Sequence, residues 1–506
     1  MILSRKTLSN IPANDWVLPS ENVFDLPEKV LQFGTGVLLR GLPDYFINKA
    51  NNQGIFNGRV VIVKSTSSGG TNEFAEQDGL FTHIIKGIED GNNVEENIIN
   101  ASISRVLSAK DEWAEILKCA ESPDMEVVIS NTTEVGITLK EDDKVTGAPP
   151  ASFPGKLLAF LYRRFQFFKG DASKGMVIIP TELITQNGKK LEAIILELAR
   201  LNSLDSSFTD WLKSANYFCD SLVDRIVPGK LPQQQKEELQ KETGFSDELM
   251  IMSESYSLWA IEAHHPIVAK KLSFAKADKG VVIAPDINKF RELKLRLLNG
   301  THTFSCGLAF LAGFTTVKQA MESEEIPAYM KQLMLKEIAP SIPLAIDPAD
   351  STDFANRVLD RFRNPQIEHN WIAISVQYSS KMKLRNIPVL LEHYKKTTAP
   401  PELMALGFAG HILFMKCEEE DGKYYGNLNG NKYPVQDDKA QLYAGKWHNF
   451  TSSALVNSIL SDTALWDTDL TALPGFAALV ATKLEGLQSG DLKQVIKDEQ
   501  IEKEPV

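Results

Sequence analysis

Lys29-Val-Leu-Gln-Phe33-Gly34-Thr35-Gly36-Val37-Leu-Leu-Arg40 is the stretch on which the reading of the fold turns. A short apolar run ends in two glycines one residue apart and passes straight into a helical pattern, which predicts strand, glycine turn and helix. Glycines at such a turn let the backbone bend tightly and come close to a pyrophosphate, whose charge the positive end of the following helix favours. Leu39 stands where the full G-x-G-x-x-G fingerprint has its third glycine, so the match is partial and an ordinary strand-to-helix turn competes with it. On the first reading, Phe33, Gly34, Thr35 and Gly36 are candidate cofactor contacts.

Working outward, Arg59-Val-Val-Ile-Val-Lys64, Val127-Val-Ile-Ser130 and Met176-Val-Ile-Ile179 repeat the short β-branched run, with helix-like sequence between them. Strands that are apolar throughout imply a sheet buried on both faces, normally parallel and doubly wound, with ligands bound beyond the carboxyl ends of its strands. The residues to inspect therefore follow each strand. Beyond the second come Lys64 and Ser65, where an NAD enzyme often has an acid for the ribose hydroxyls; a lysine there leaves NADP open, or is simply a solvated strand end. Asn131, Thr132, Thr133 and Glu134 follow the third run, and Pro180 to Asn187-Gly188 follow the fourth.

From about residue 285 the texture changes to long helical patterns, opened by Asp286 as an N-cap. Two domains are expected, a dinucleotide-binding domain over residues 1–284 and a mostly helical substrate-binding domain over 285–506, the class being α/β followed by α. Residues 418–432, where Gly and Asn cluster, read as a polar loop, and the charged residues 497–506 as a solvated tail. The second domain opens on Lys294-Leu-Arg-Leu-Leu-Asn299-Gly-Thr-His302. At about 100° per residue from Lys294, His302 falls at roughly 80° and Asn299 at roughly 140°, on one broad side of a helix with Leu295 and Leu298 between them. An amine projecting from an apolar face is expected to be buried, with its pKa lowered from roughly 10.4 towards neutrality, where it can exchange a proton. A lysine that snorkels to the surface beside a satisfied core histidine is the plain alternative. Glu292 and Arg296 fall on the opposite side and are expected at the solvent surface.

The chain of 506 residues has ample apolar content for two cores, and its net charge of −12 argues against nucleic acid or an anionic membrane as partner. Cys119, Cys219, Cys306 and Cys417 lie far apart with no CxxC pair, and no signal core or membrane span is visible, so a cytoplasmic protein with reduced thiols is expected. The eight histidines include no HxxxH, and His264-His265 has no thiol nearby, which speaks against zinc.

Together, Gln32 to Arg40, Ser130 to Gly136, Phe218 to Ile226, the K-x4-N-x2-H segment at Lys294, Arg361-Phe-Arg-Asn-Pro365 and Tyr433-Pro-Val-Gln-Asp-Asp438 resemble the long-chain mannitol dehydrogenase and hexuronate reductase family over nearly the whole length. The resemblance implies a Rossmann-type first domain, a helical second domain and hydride transfer between NAD and a sugar acid or polyol without a metal. It gives Lys294 the acid/base role, Asn299 and Asn187 the carbonyl-polarising amides, and His302 a substrate contact. Tagaturonate/altronate is the leading substrate pair it implies, with fructuronate/mannonate and fructose/mannitol as alternatives; a nucleotide sensor that lost catalysis is the rival of another class. A uronate carries a carboxylate that a polyol lacks, and Lys381 and Arg385, in Ser379-Ser-Lys-Met-Lys-Leu-Arg, lie where the resemblance places substrate contacts; a solvated basic turn is the alternative. Arg361 and Arg363 are further candidates. Oligomeric state is left open.

Overall fold

Alternate residues of the four apolar runs go to opposite cores. Val30, Val60, Ile62, Val127, Ile129, Val177 and Ile179 enter one apolar cluster, while Leu31, Phe33, Val61, Val63, Val128 and Ile178 enter another. This period of two, apolar on both faces, is what a fully covered sheet requires. The computed structural model describes residues 1–11, 16–65, 71–132, 136–229 and 231–498. In it, strands β1 (Glu28–Phe33), β2 (Arg59–Lys64), β3 (Ile103–Ser108), β4 (Val127–Ser130), β5 (Val177–Pro180) and β6 (Tyr217–Phe218) form one sheet. All its pairings are parallel, in the order β3-β2-β1-β4-β5-β6. That order reverses direction between β1 and β4, and such a switch point is where open α/β sheets bind ligands. The expected Rossmann-type sheet is present. Two of its strands escape the sequence reading: β3 is an edge strand that mixes Ser and Arg with its apolar residues, and β6 has only two residues.

The chain divides into two compact units, residues 1–87 with 93–287, and residues 88–92 with 288–506. The second is built on helices. Glu402–Phe414 is apolar all round and almost wholly buried, the signature of a central helix. Helix Thr301–Leu311 packs closely against it: a Cβ on Gly307 would meet the Gly410 carbonyl oxygen at 2.5 Å. The one imidazole of the central helix, His411, is fully buried and bonded through Nε2 to the Tyr443 hydroxyl at 2.9 Å.

The helical expectation for this unit has one correction. Residues 418–432 are not a loop but most of an antiparallel meander of Glu418–Glu420, Lys423–Leu428 and Asn431–Pro434. Its two turns are Asp421-Gly422 and Asn429-Gly430, and all four residues have positive φ, between 51 and 86°. Tight two-residue turns of this kind match the strand twist and select Asn-Gly and Asp-Gly. The Gly and Asn that suggest a loop are thus the turns of two hairpins.

No helix among the described residues is long and apolar enough to cross a membrane. The charged tail falls mostly outside the described residues, as do Thr133 and Glu134.

Candidate active site

At the switch point of the first unit, the backbone leaves β1 through Gly34, whose φ of +125° lies in the region that disfavours side chains. A Cβ there would meet the Asn131 carbonyl oxygen and Leu39 Cδ1, each at 2.9 Å. Leu39, where the fingerprint has glycine, therefore fills the space beneath the turn. Gly34 N–H donates to Val63 O at 3.2 Å and Asn131 N–H to Phe33 O at 3.1 Å, which ties the ends of β1, β2 and β4 together. Gly36 is exposed and starts the helix Val37–Gly41, with no atom of the described residues within 4 Å of where its Cβ would be. A ligand can approach the backbone there. Thr35 is half-buried; the Phe33 ring is not available to a ligand, being buried against Phe153 with centroids 4.9 Å apart. Lys64 ends β2, half-buried, and its carbonyl accepts from Ala109 N–H.

The loop after β4 rests on a carboxylate that sequence reasoning passed over. Glu182, 2% exposed, accepts from Ser130 Oγ at 3.1 Å and from both Thr132 N–H and Thr132 Oγ at 2.9 Å. Asn131 Nδ2 donates to Thr181 Oγ1 at 2.9 Å. The only signal in the sequence is an acidic residue directly beyond an apolar strand. Asn187 lies in the same region but is turned inward. Its Nδ2 sits 3.0 to 3.1 Å from the carbonyls of Pro180, Glu182 and Ser221, and its Oδ1 accepts from the backbone N–H of Gly188 and Ser221. The expected carbonyl-polarising amide has its donors engaged by backbone, because the turn after β5 needs them.

In the second unit, helix Asn288–Leu293 continues through a π-turn, Lys294–Gly300, into Thr301–Leu311. In a π-turn the hydrogen bonds run i→i+5, so residues five apart come close to one above the other, and such turns cluster at functional sites. Lys294 and Asn299 are such a pair, closer in phase than a regular helix would place them. Lys294 is half-buried rather than buried, and Asn299 likewise. Arg296 is the clear departure from expectation: only 7% exposed, it pairs with Glu292 at 2.9 Å and donates to backbone across the helix interface.

His302 is buried against Phe362, with ring centroids 4.1 Å apart and His369 and Trp371 each 5.9 Å away. Burial pushes its pKa well below the usual value, and His369, Arg385, Arg361 and Lys381 push it the same way. The positive charges of Arg361 and of the Lys381–Arg385 stretch therefore act on this imidazole, whose buried Nδ1 has no hydrogen-bond partner among the described residues. Lys381 and Arg385 flank and enter a second π-turn, Met382–Asn386. Lys381 Nζ donates to Ile374 O at 2.9 Å, and Arg385 Nη1 to Thr303 Oγ1 at 3.2 Å. Burial lowers the pKa of both. Arg363, by contrast, is exposed and 3.5 Å from Asp360. Among the described residues no three His, Cys, Asp or Glu side chains are grouped to hold a metal.

Residues 28–276 match the mannitol dehydrogenase Rossmann domain and residues 286–488 the mannitol dehydrogenase C-terminal domain. The altronate oxidoreductase of Bacillus subtilis (strain 168) is 37% identical over 94% of this chain and 97% of its own, and that of Enterobacter sp. (strain 638) is 37% identical over 93% and 96%. The chain belongs to the mannitol dehydrogenase family. As a member of that family it is an oxidoreductase acting on a CH–OH group. The fold is shared with solved dehydrogenases: Pseudomonas fluorescens mannitol 2-dehydrogenase, in a ternary complex with NAD and D-mannitol, matches at 22% identity and a TM-score of 0.66, covering 98% of this chain and 99% of that one. A D-sorbitol dehydrogenase in substrate-free form matches at 20% identity and a TM-score of 0.78, covering 98% and 100%.

Proposed function

We propose that this protein interconverts D-tagaturonate and D-altronate with NAD(H), by hydride transfer without a metal. One observation carries the choice of substrate: Arg385 bonds Thr303 Oγ1 at 3.2 Å, beside His302, and the charges of Arg361 and Lys381 act on the same imidazole. A neutral polyol has no use for three cationic side chains, whereas a carboxylate forms charge-assisted hydrogen bonds with them. The relatives named altronate oxidoreductase support the same reading.

The cofactor fits the first unit. The glycine turn brings backbone to the surface at Gly36 before a helix start, with no described residue where a side chain would stand. Gly34, Thr35 and Gly36 would hold the pyrophosphate, and Asn131 and Thr132, fixed by Glu182 and Thr181, would face the nicotinamide half. Lys64 is assigned to the ribose end of an NAD rather than to a 2′-phosphate. Bound nicotinamide supplies the hydride to the ketone carbon, or accepts it from the alcohol.

As the ketone is reduced, negative charge develops on its oxygen. The Asn299 amide donates to that oxygen and Lys294 delivers the proton, so that oxygen ends as hydroxyl and Lys294 as neutral amine, to be reprotonated from solvent. His302, held neutral by burial and by its cationic neighbours, bonds a substrate hydroxyl through Nδ1. Asn187 acts at one remove, by fixing the turn after β5.

The test is loss of NADH absorbance with tagaturonate, fructuronate and fructose offered in turn to the purified protein. Tagaturonate should be reduced with the highest kcat/KM. A preference for fructose would refute the carboxylate reading, and a preference for fructuronate would keep the chemistry and change the sugar.

A further inference from the structure

The π-turns that carry the proposed acid/base and carboxylate-reading residues are fastened to each other through side chains. Arg296 Nη1, from the first turn, donates to the Leu384 and Arg385 carbonyls of the second at 2.8 and 2.7 Å. In return, Asn386 Nδ2 donates to Gly300 O at 3.3 Å and Arg385 Nη1 to Asn299 O at 3.4 Å. Glu292 aims the Arg296 fork from one helical turn back, accepting from Nε at 2.9 Å and Nη2 at 3.4 Å. Arg296 and Asn386 are both buried. A π-turn disturbs the regular i→i+4 ladder, and buried carbonyls near it need donors. Here each turn receives them from the other.

We infer that Arg296 is a positioning residue that locks the register between the Lys294–Asn299–His302 helix and the Lys381–Arg385 helix, and thereby couples proton transfer to recognition of the substrate's carboxylate. The register rests on hydrogen bonds alone; its coupling to catalysis rests on the function proposed above. The geometry explains why the residue is arginine. One planar fork grips Glu292 through Nε and Nη2 while Nη1 spans two carbonyls, whereas an ammonium offers a single point charge. A displacement of about 1 Å at reacting groups is enough to cost up to ~100-fold in rate.

The test compares Arg296→Lys and Arg296→Met with wild type, as full chains. Thermal unfolding, NADH titration, hydrogen exchange over residues 294–303 and 382–390, and kcat and KM for tagaturonate and fructose are measured. For Arg296→Lys we expect an unchanged NADH affinity, faster exchange confined to the two π-turns, and kcat lowered at least about tenfold. The kcat/KM for tagaturonate should fall further than that for fructose. Exchange and kcat equal to wild type in Arg296→Lys would overturn the inference. So would exchange raised throughout the second unit, or failure of both variants to fold, since Arg296 would then serve stability alone. If wild type reduces no hexuronate, the proposed function fails while the exchange arm still judges the register.

Discussion

Lys294 is the residue on which the proposed chemistry depends, and its surroundings are less dry than its sequence context suggests. It is half-buried, as is its π-turn partner Asn299. A half-buried amine keeps a route to solvent by which it can be reprotonated each turnover. Replacing Lys294 by Ala should lower kcat by roughly 100-fold or more, the usual scale for a general acid, with NADH binding intact by fluorescence titration. A variant that turns over like wild type would make Lys294 structural. Lys381 and Arg385 belong to a different part of the free energy. If they read a carboxylate, Lys381→Met or Arg385→Met should lower kcat/KM for tagaturonate by at least about tenfold and affect residual fructose reduction far less. Equal loss on both substrates would show that they only hold the helices together. At this scale the polar triplet K-x4-N-x2-H is legible within its apolar segment, and the structure carries all three residues on one continuous helical stretch. The sequence misplaces Arg296 because the face opposite Lys294 is covered by the Met382–Asn386 turn, whose neighbouring carbonyls Arg296 binds, and a phase angle carries no information about what packs against a face.

Among the elements, the glycine turn after β1 separates two requirements that one motif hides. Gly34 is required by the fold: its φ is positive and a Cβ would strike the Asn131 carbonyl. Gly36 is not required by the fold, since its backbone is ordinary and no described residue fills the space before it; the proposed cofactor is what would need it. Gly34→Ala should therefore lower the melting temperature by several degrees, the strain being about 1–3 kcal/mol. Gly36→Ala should melt like wild type yet bind NADH at least about tenfold more weakly, because on the proposed reading its methyl group would stand against the pyrophosphate. Wild-type NADH affinity in Gly36→Ala would move the cofactor off this turn. The sheet itself is legible because burial on both faces demands apolar runs: β2, β4 and β5 have them in Val and Ile, and β1 in Val30, Leu31 and Phe33 around one polar Gln32. The meander of residues 418–434 carries its signal too, in Asp421-Gly422 and Asn429-Gly430. Its strands are mostly exposed and polar, so hydropathy does not reveal them and only the turn chemistry does.

Over the whole molecule, stability against pH is set by buried groups that work in opposite directions. His83, His302 and His411 are buried and their pKa values are lowered, first by burial, that of His411 to about 3. Unfolded, they bind protons below 6.5; folded, they resist, so their contribution is present above pH 6.5 and is lost as pH falls. Asp44 does the reverse. It is fully buried beside Gln32, whose Nε2 lies 3.2 Å from Oδ2, and burial raises its pKa from 3.8 to about 7. The folded state therefore holds a proton on Asp44 that the unfolded state releases between pH 3.8 and about 7, so this carboxyl favours folding at acid pH and that advantage is gone above 7. The two effects overlap and partly cancel in wild type, which hides each of them from a single melting curve. Asp44→Asn separates them, because it removes the carboxyl and leaves the histidines. Its melting temperature relative to wild type should rise steadily from pH 4 to about 7 and then level off, with the variant the more stable above pH 7. Melting curves of both proteins across that range decide it: a difference that does not change with pH would mean that Asp44 is ionised in the folded protein at acid pH, and that the polar contact with Gln32 outweighs its burial.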